Sequence, residues 1–318
     1  MTHLRHIPLG YGGEFDVIAA ALKRWGDLAS GIGDDCAVLD VPAGSRLVLS
    51  VDTSVEGVHF RRPWLTPEEI GYRATTAALS DLAAMAAHPM GVAIAMTLPD
   101  AWRGDFLRLC DGIGEAVRTA GTQIIGGDLS RGADLSMTLT VIGHAVTPLS
   151  RSGAKPGDAL WVTGRLGGPA LALRAWKHGA APTAESLARF ARPEARFAAA
   201  QWLAAHGATA GIDISDGLVS DAGHLAAAGD VQLLVNLDRV PTVVGTTAEE
   251  AAQSGEEYEL LVTAPPSLDA AAFTAACGLP ITCIGAAAPP LPGEPAVATL
   301  RQGKPVTVPR GHDHFPVP

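Results

Sequence analysis

At residues 47–52 the chain reads Leu47-Val48-Leu49-Ser50-Val51-Asp52, an apolar run that ends on a carboxylate. A run of this kind between polar residues is typical of a buried strand, so we predict a buried strand that ends at Asp52. The next segment, 67–87, predicts a long helix, because Pro67 suits a first turn and Pro89 follows its end. A strand that leads into a long helix is the basic unit of an α/β fold.

The same alternation of strands and helices continues in both directions along the chain. Further strands are predicted at 92–98, 123–125, 135–145, 159–162, 210–214, 231–237, 258–263 and 281–284, and further helices at 14–25, 105–120, within 169–179, within 193–207, and at 218–228, 247–253 and 268–277. A closing hairpin is predicted at 296–308, with Gln302-Gly303 at its turn. The predicted fold class is therefore α/β (α+β), with sheets and helices in both halves of the chain.

The length of the chain and one polar turn predict two domains. The chain has 318 residues, of which 47% are hydrophobic, so it can bury a substantial core. Domains average about 150 residues, and the polar stretch 150–158 has the composition of a domain junction. We predict an N-terminal domain at 1–148 and a C-terminal domain at 149–318.

The charge and the cysteines narrow the classes of function and location. The net charge is −10, and an acidic protein repels nucleic acid and anionic membranes, so we expect neither as a partner. No apolar run reaches the roughly 18 residues of a spanning helix, and no signal-peptide core is recognisable. The four cysteines form no CxxC pair, which predicts neither a zinc site nor a disulfide framework. A reducing cytoplasm is the expected location.

Several catalytic motifs are missing from the sequence. None of the four lysines stands in a GxxxxGK[ST] string, which excludes a P-loop nucleotide site. The sequence also has no HRD, DFG, HExxH, GxSxG or GxGxxG string. These absences exclude protein kinases, zincins and α/β-hydrolases in their usual forms. A protein of this sequence that handles phosphate must do so by another route.

A set of aspartates stands where apolar strands or glycine turns end, and one more lies inside the long helix. The set consists of Asp34, Asp35, Asp52, Asp81, Asp128, Asp213 and Asp216. Asp81 is the helical member, among Ala, Leu and Met residues where a bare carboxylate is costly to bury. Oxygen ligands without a Cys or His cluster suit Mg²⁺, Mn²⁺ or Ca²⁺. A single aspartate in such a position is more often a turn or helix-cap residue than a metal ligand, and Asp213 and Asp216 could cap the helix beginning at Leu218, so the metal-site prediction rests on the joint pattern.

Glycines and basic residues give weaker indications of phosphate binding. Gly126-Gly127-Asp128 and the glycine-rich stretch 164–168 are each compatible with a phosphate cradle or with a tight turn. Arg131 and Arg151 are candidates for phosphate contacts. His59 follows the Asp52 strand, on the side where a second substrate could lie.

Taken in order, these motifs resemble the thiamine-monophosphate kinase family. The resemblance rests on residues 31–39, 50–53, 57–60, 79–85, 126–128, 151–158, 212–218, 254–260 and 311–315, which occur in order and are spread over nearly the whole chain. That family shares its fold with aminoimidazole ribonucleotide synthetase and selenophosphate synthetase. The resemblance implies an N-terminal domain that dimerises through its sheet, and a C-terminal domain that completes a cleft for ATP and several Mg²⁺ ions.

The resemblance also implies roles for individual residues. The implied Mg²⁺ ligands are Asp35, Ser50, Val51, Asp52, Asp81, Asp128, Asp213 and Asp216, the implied ATP contacts are Gly127, Asp128, Arg151 and Ser215, and the implied thiamine-phosphate contacts are His59, Glu256 and His312. Asp52, Asp128 and Asp216 are the implied catalytic carboxylates. A valine has no side-chain ligand, so Val51 would coordinate through its backbone carbonyl.

The expected activity is ATP-dependent phosphorylation of thiamine monophosphate to thiamine diphosphate, by a homodimer assisted by Mg²⁺. Two alternatives stay open. One is another ATP-dependent synthetase of the same superfamily, and the other is a non-catalytic module that binds a metal ion or a nucleotide.

Overall fold

The computed structural model describes residues 13–33, 35–309 and 311. The chain divides into two compact units, the first formed by Met1–Leu82 and Ala87–Thr147, the second by Ala83–Ala86 and Pro148–Pro318. Each unit combines a sheet with helices, as the alternating pattern of the sequence predicts. Within the described residues, no helix has both the length and the apolar character that crossing a bilayer requires.

The first unit contains three long helices and a four-stranded sheet. Its elements are α1 (Gly13–Trp25), β1 (Arg46–Val55), α2 (Pro67–Ala84), β2 (His88–Leu98), α3 (Phe106–Thr119), β3 (Ile124–Arg131) and β4 (Ser136–Ala145), with short 3-10 helices at Gly26–Leu28 and Asp100–Asp105. The strand order is β1-β4-β2-β3. Strands β2 and β3 are parallel, and β4 pairs antiparallel with both β1 and β2.

The first strand is longer than predicted, and only one of its faces is buried. Strand β1 continues to Val55, and Val48 lies on its buried face. Leu47, Leu49 and Val51 point to the other face and are 56%, 56% and 55% exposed. The predicted fully buried strand is therefore wrong, because β1 is an edge strand of a sheet whose second face is open along β1. We call Leu47, Leu49 and Val51 the open face of β1.

Helix α2 ends by its own backbone geometry rather than at the proline. Ala86 has a φ of 53°, the N–H of Ala87 donates to the carbonyl of Leu82 (3.0 Å), and that of Ala86 to Ala83 (2.8 Å). This pair of bonds around a left-handed residue is a Schellman motif, which terminates a helix. Pro89 lies inside β2, where the pairing with β4 shifts register, so the prediction that Pro89 stops the helix is wrong.

The second unit has a seven-stranded sheet with helices on both faces. Its elements are β5 (Ala159–Thr163), α4 (Gly168–Lys177), α5 (Ala184–Ala191), α6 (Phe197–Ala205), β6 (Ala210–Asp213), α7 (Leu218–Gly229), β7 (Gln232–Asn236), α8 (Ala248–Gln253), β8 (Leu260–Ala264), α9 (Ala270–Cys277), β9 (Ile281–Ala288), β10 (Val297–Arg301) and β11 (Lys304–Val306), with 3-10 helices at Arg151–Gly153 and Leu237–Arg239. The strand order is β11-β10-β7-β9-β5-β8-β6. Alternate residues of β5 enter two separate apolar clusters, one with α7 and α8, the other with α6 and α9.

Two details of the second unit test the sequence predictions directly. The closing hairpin is confirmed as β10 and β11, with Gln302 and Gly303 in its turn at φ values of 49° and 72°. Helix α5, eight residues long, was not predicted. Its Thr183 cap, whose side chain accepts from the N–H of Ser186, is the local signal for it.

A buried ionic cluster joins β8 to the glycine-rich stretch 164–168. Glu259 accepts hydrogen bonds from Thr163 Oγ1 (2.7 Å) and from Arg196 Nη2 (2.6 Å). Glu257 accepts from the backbone N–H of Gly167 at 2.5 Å, so a carboxylate of the protein already occupies the start of α4. Of the two readings of this stretch, the structure favours the tight turn over the phosphate cradle.

Glu257 is incompletely hydrogen-bonded within this cluster. Its Oε2 atom is buried without a hydrogen-bond partner among the described residues and lies 3.5 Å from Arg189 Nη2. Burial raises the pKa of Glu257 to about 7, and the charge of Glu259 adds to the rise, while a hydrogen bond from Ser254, the charge of Arg189 and the N–H of Gly167 oppose it. A carboxyl whose pKa is raised by folding binds its proton more tightly in the folded state.

We therefore expect Glu257 to make the free energy of unfolding depend on pH. Its contribution is fully present below the ordinary pKa of 4.5 and is lost as the pH rises through about 7. The loss amounts to roughly 3 kcal/mol at most. In Glu257→Gln the amide oxygen still accepts from Gly167, so urea unfolding should give a smaller fall in stability between about pH 5.5 and about pH 8 than in the wild type.

Glu194→Gln is the matched control, because Glu194 is an exposed glutamate that also pairs with an arginine, Arg196. It should keep the wild-type pH dependence. A Glu257→Gln protein with the wild-type pH dependence would contradict this account.

Candidate functional site

The buried face of β1 brings a serine of the strand to the aspartate inside helix α2. Ser50 Oγ donates a hydrogen bond of 2.5 Å to Asp81 Oδ2, although the two residues are 31 positions apart. Both side chains are half-buried. A hydroxyl on the neighbouring strand therefore offsets part of the cost of burying the Asp81 carboxylate among apolar residues of the helix.

Asp52 lies two residues beyond Ser50 and therefore on the same face of β1. Its Oδ1 accepts the N–H of Thr53 at 2.7 Å, which fixes the direction of the carboxylate. Val51 points to the opposite face, so only its main chain is available on the side of Ser50 and Asp52. Asp35 is exposed in the loop before β1.

Asp128 stands apart from the other acidic residues of the first unit. The sequence suggested a glycine turn before it, but Gly126, Gly127 and Asp128 all lie within β3. Register pairs Asp128 with Ala95 on β2, two strands away from β1 in the order of the sheet. Three spacings between neighbouring strands amount to roughly 14 Å, so within this unit the structure does not bring Asp128 to Asp52.

The close approach of a neighbouring strand explains why glycine stands at position 127. A Cβ atom at Gly127 would lie 2.1 Å from the carbonyl oxygen of Ile94 on β2. Only glycine allows β2 and β3 to approach here. Asp128 itself is exposed and accepts a hydrogen bond from Ser130 Oγ at 3.1 Å.

An apolar cavity lies beside Asp128 and was not predicted from the sequence. It is bounded by α1, α3, β2 and β3 and is lined by Ile18, Ala21, Leu22, Trp25, Ile32, Ile94, Met96, Phe106, Cys110, Gly126, Gly127, Asp128 and Leu129. Trp25 Nε1 donates to the carbonyl of Cys110 at 2.8 Å and so joins two walls. Burial raises the pKa of the Cys110 thiol to about 12, which keeps it protonated. The cavity is thus an apolar site with one acidic residue in its lining.

In the second unit, the loop from Asp213 to Gly217 carries three of the implied ligands and contacts. Asp213 is buried at the end of β6, and Ser215 and Asp216 are half-buried. The N–H of Glu256 donates to the carbonyl of Ser215 at 2.7 Å. The structure therefore brings Glu256 to Ser215, although 41 residues separate them in the sequence.

The segment that carries Glu256 has an unusual backbone. Glu256 and Tyr258 have φ values of 62° and 53°, which non-glycine residues rarely adopt. The N–H of Tyr258 donates to the carbonyl of Ile214 at 2.9 Å, and the Tyr258 hydroxyl donates to Glu256 Oε2. Strained residues of this kind persist only where surrounding contacts hold them, and they concentrate at functional sites.

Asp221 on α7 is a further acidic residue of this region, and the sequence reading missed it. Its Oδ2 accepts the backbone N–H groups of Ser215 (3.1 Å), Asp216 (3.1 Å) and Gly217 (3.0 Å). The acid that caps the start of α7 is therefore Asp221, and not Asp213 or Asp216. Burial raises its pKa to about 7, and the charges of Asp213 and Asp216 add to the rise. Asp216, Asp221 and His224 each offer a ligand atom within 4.8 Å of the others.

The C-terminal tail reaches the same loop. The N–H of Gly311 donates to Ser220 Oγ at 2.9 Å, and a Cβ atom at Gly311 would lie 1.7 Å from the carbonyl oxygen of Asp216. His312, the implied substrate contact that follows it, lies outside the described residues, as does Asp34.

The two remaining implied contacts lie on loops. His59 is half-buried, and its Nδ1 accepts the N–H of Val55 at 3.0 Å. In the neutral ring the proton is therefore on Nε2, which can donate to a ligand. Arg151 is exposed at the first position of the 3-10 helix Arg151–Gly153.

Known proteins share both halves of this architecture. Residues 33–145 match the family described as AIR synthase related protein, N-terminal domain, and residues 155–287 match its C-terminal domain. The chain is similar to thiamine-monophosphate kinase of Escherichia coli O157:H7, with 38% identity covering 96% of this chain and 99% of that one. The Haemophilus influenzae enzyme of the same name is 34% identical over 95% and 98% of the two chains.

Solved structures agree with the sequence relatives. Thiamine-monophosphate kinase of Stenotrophomonas maltophilia K279a is 34% identical and superposes with a TM-score of 0.79, covering 96% of this chain and all of that one (100%). A structure described as AaThiL complexed with AMPPCP and TMP is 28% identical, with a TM-score of 0.76 over 95% and 97% of the two chains. Both domain matches and these identities over nearly the full length lead to one conclusion: this chain belongs to the thiamine-monophosphate kinases of the AIR synthase related family.

Proposed function

We propose that this protein transfers the γ-phosphoryl group of ATP directly to the phosphate of thiamine monophosphate, giving thiamine diphosphate and ADP. The observation that carries the proposal is the likeness to thiamine-monophosphate kinases over 96% of the chain. The AaThiL structure complexed with AMPPCP and TMP, a relative 28% identical, supports the same pair of substrates. We also propose the reducing cytoplasm as the location of this protein, as the composition of the sequence suggests.

The side chains of the site suit a hard divalent cation such as Mg²⁺. The hydroxyl of Ser50 and the carboxylates of Asp52 and Asp81 are oxygen donors on neighbouring elements, and oxygen is the ligand that Mg²⁺ prefers. The residues that would hold such ions are Asp35, Ser50, the Val51 carbonyl, Asp52, Asp81, Asp128, Asp213 and Asp216. Bound Mg²⁺ supplies charge neutralisation between the phosphates and stabilises the charge of the transferring group.

The acceptor explains why no general base is needed. The nucleophile is a phosphate oxygen, and because the second pKa of a phosphate is about 6, it is largely ionised at neutral pH. The chain has to position two anions rather than remove a proton. His59 is suited to this role, since its Nε2–H can donate to a phosphate oxygen while Val55 fixes the ring. Glu256, oriented by Tyr258, offers a carboxylate to the cationic thiazolium ring.

We further propose that the apolar cavity beside Asp128 receives the adenine of ATP. Its walls are apolar, as expected of a site for a flat base, and Gly126 and Gly127 lie in its lining. Because glycines have no side chain, their main-chain atoms can contact a ligand that extends from the cavity toward Asp128. The N-terminal unit would then carry the nucleotide end of the reaction.

A homodimer formed through the open face of β1 is part of the same proposal. Leu47, Leu49 and Val51 are large apolar side chains that stay more than half exposed in the isolated chain. A row of this kind on a sheet is characteristic of a surface that a partner covers. A second copy of this chain is the partner that the family resemblance implies.

The aspartates of the first unit provide the main test of the mechanism. Asp52→Asn and Asp128→Asn each remove one charged ligand while keeping the size of the side chain. We expect kcat to fall by roughly 10²-fold or more in each, because the lost interactions act on charge in the transition state. ADP formation is measured with ATP, Mg²⁺ and thiamine monophosphate, and thermal unfolding checks that the fold is intact.

Asp40→Asn, an exposed acid of the same unit, is the matched control and should keep full activity. Full activity in both Asp52→Asn and Asp128→Asn would contradict the mechanism. ADP formation that depends on a different acceptor would favour another synthetase of the superfamily. ATP binding without turnover would favour the non-catalytic module.

A larger side chain in the lining of the apolar cavity tests whether the cavity binds adenine. Ala21 lies in its lining and is only 3% exposed, so Ala21→Leu should narrow the space for adenine. We expect KM for ATP to rise about tenfold, as is typical when a pocket loses room for its ligand, with KM for thiamine monophosphate unchanged. The neighbouring exposed Ala20→Leu is the control. An unchanged KM for ATP in a folded Ala21→Leu protein would remove adenine from this cavity.

The dimer is tested at the centre of the open face of β1. Leu49→Asp places a charge where the proposed interface is apolar, so sedimentation velocity should give a monomer where the wild type gives a dimer. Val244→Asp changes an 84% exposed residue of the second unit and should leave the assembly unchanged. A dimeric Leu49→Asp protein, or a monomeric wild type, would rule out this interface.

A further inference from the structure

The start of helix α7 is occupied by a carboxylate of the helix itself. Asp221 is the fourth residue of α7, and it is only 1% exposed. One oxygen, Oδ2, accepts the N–H groups of Ser215, Asp216 and Gly217 at 3.0 to 3.1 Å. Three consecutive N–H groups that point at one oxygen fix the conformation of that stretch, since none of them can turn away without losing a bond.

The same N–H groups would otherwise attract phosphate. The backbone N–H groups at a helix N-terminus are a general anion-binding arrangement, because they carry partial positive charge and lack helical partners. In this chain the carboxylate of Asp221 occupies the position that a bound anion would take. The loop therefore presents the carboxylate of Asp216 and the hydroxyl of Ser215, but no free N–H group of residues 215–217, to a ligand.

The carbonyl side of the loop is fixed by close backbone contacts. The carbonyl oxygen of Ser215 accepts the N–H of Glu256 at 2.7 Å. A Cβ atom at Gly255 would lie 2.6 Å from the same oxygen, and one at Gly311 would lie 1.7 Å from the carbonyl oxygen of Asp216. These neighbours hold the carbonyl groups, whereas Asp221 holds the N–H groups.

We propose that Asp221 is a positioning residue of the phosphoryl-transfer site, which holds the loop 215–217 in the geometry that lets Asp216 and Ser215 engage a cation rather than a bare phosphate. The inference rests on the proposed role of Asp213, Ser215 and Asp216. The position of the accepting oxygen is what holds the loop, whereas the negative charge of Asp221 is secondary. Although Asp221 lies near Asp216 and His224, it would act through the backbone and not as a ligand, because its Oδ2 already accepts three N–H groups.

Two substitutions separate these properties. Asp221→Asn keeps an accepting oxygen at the same reach and removes the charge. Asp221→Glu keeps the charge and moves the oxygens by one methylene group. Both side chains are polar and close to native size. Asp230→Asn, an exposed acid at the other end of the same helix, is the control and should match the wild type in every measurement.

Two measurements are made on each protein. The first is hydrogen–deuterium exchange of peptides spanning 214–218 without ligand, which reports the loop directly. The second is the Mg²⁺ concentration that gives half-maximal ADP formation. For Asp221→Glu we expect exchange to speed up about tenfold or more and the half-maximal Mg²⁺ concentration to rise about tenfold, as for other residues that support metal ligands. Asp221→Asn should stay within about twofold of the wild type in both.

Two results would overturn the inference. One is a Glu variant that behaves as the wild type. The other is an Asn variant that is impaired as much as the Glu variant, because the charge would then be the active property. The variant Asp216→Asn distinguishes a failure of the inference about Asp221 from a failure of the proposed function. If Asp216→Asn leaves the Mg²⁺ dependence unchanged, the loop is not a cation site and both proposals fall. If it shifts that dependence while Asp221→Glu does not, only the inference about Asp221 falls.

Discussion

Carboxylates that are to bind cations must be held in place without being neutralised. In this chain, hydrogen bonds from uncharged donors orient two of the carboxylates that we propose as cation ligands. Ser50 donates its hydroxyl to Asp81, and the N–H of Thr53 meets Asp52. Such donors orient a carboxylate and leave its charge available to a metal ion. Glu259 shows the contrasting case: it accepts from Arg196 and lies within reach of Arg189, so its charge is balanced inside the protein.

The loop at the start of α7 depends on a second constraint, which is close backbone packing. Gly255 and Gly311 approach its carbonyl oxygens so closely that no side chain would fit at either position. Glu256 and Tyr258 keep left-handed backbone conformations beside it, at a cost of about 1 kcal/mol or more each. The bonds from their N–H groups to the carbonyls of Ser215 and Ile214 offset part of that cost. A segment held by its own main chain can present side chains to a substrate without using them for support.

The sequence predicts the order of elements well, because that order depends on local patterns, whereas the roles of the candidate carboxylates stay predictions. It fails where tertiary context decides. The open face of β1 has the same apolar residues as a buried strand, and only the sheet's one-sided cover distinguishes the two. The local pattern predicts a turn at Gly127, whereas glycine is required there because β2 approaches closely, and a contact between distant strands leaves no local pattern. Pro89 fits an irregular point of β2, where the pairing shifts, rather than a helix end.

The acidic residues that were missed have a common explanation. Sequence reading looks for carboxylates just before a helix, where caps usually stand. Asp221 caps the start of α7 from the fourth position of the helix, by folding back over the turn that precedes it. Glu257 reaches the start of α4 from a segment 90 residues away. Neither relation is local, so neither could be recognised before the chain was folded.

These two residues also bear on how the second unit treats phosphate. The starts of α4 and α7 are its glycine-rich helix N-termini, the features that a sequence most readily suggests as phosphate sites. Both have N–H groups that are already bonded to a carboxylate of the protein, Glu257 at the first and Asp221 at the second. A phosphate that approached either would meet a carboxyl group of the protein that already accepts those N–H groups. Neither helix start therefore favours an anion. An acidic protein that handles two phosphorylated substrates would gain most from bound cations, because they cancel charge on both sides at once.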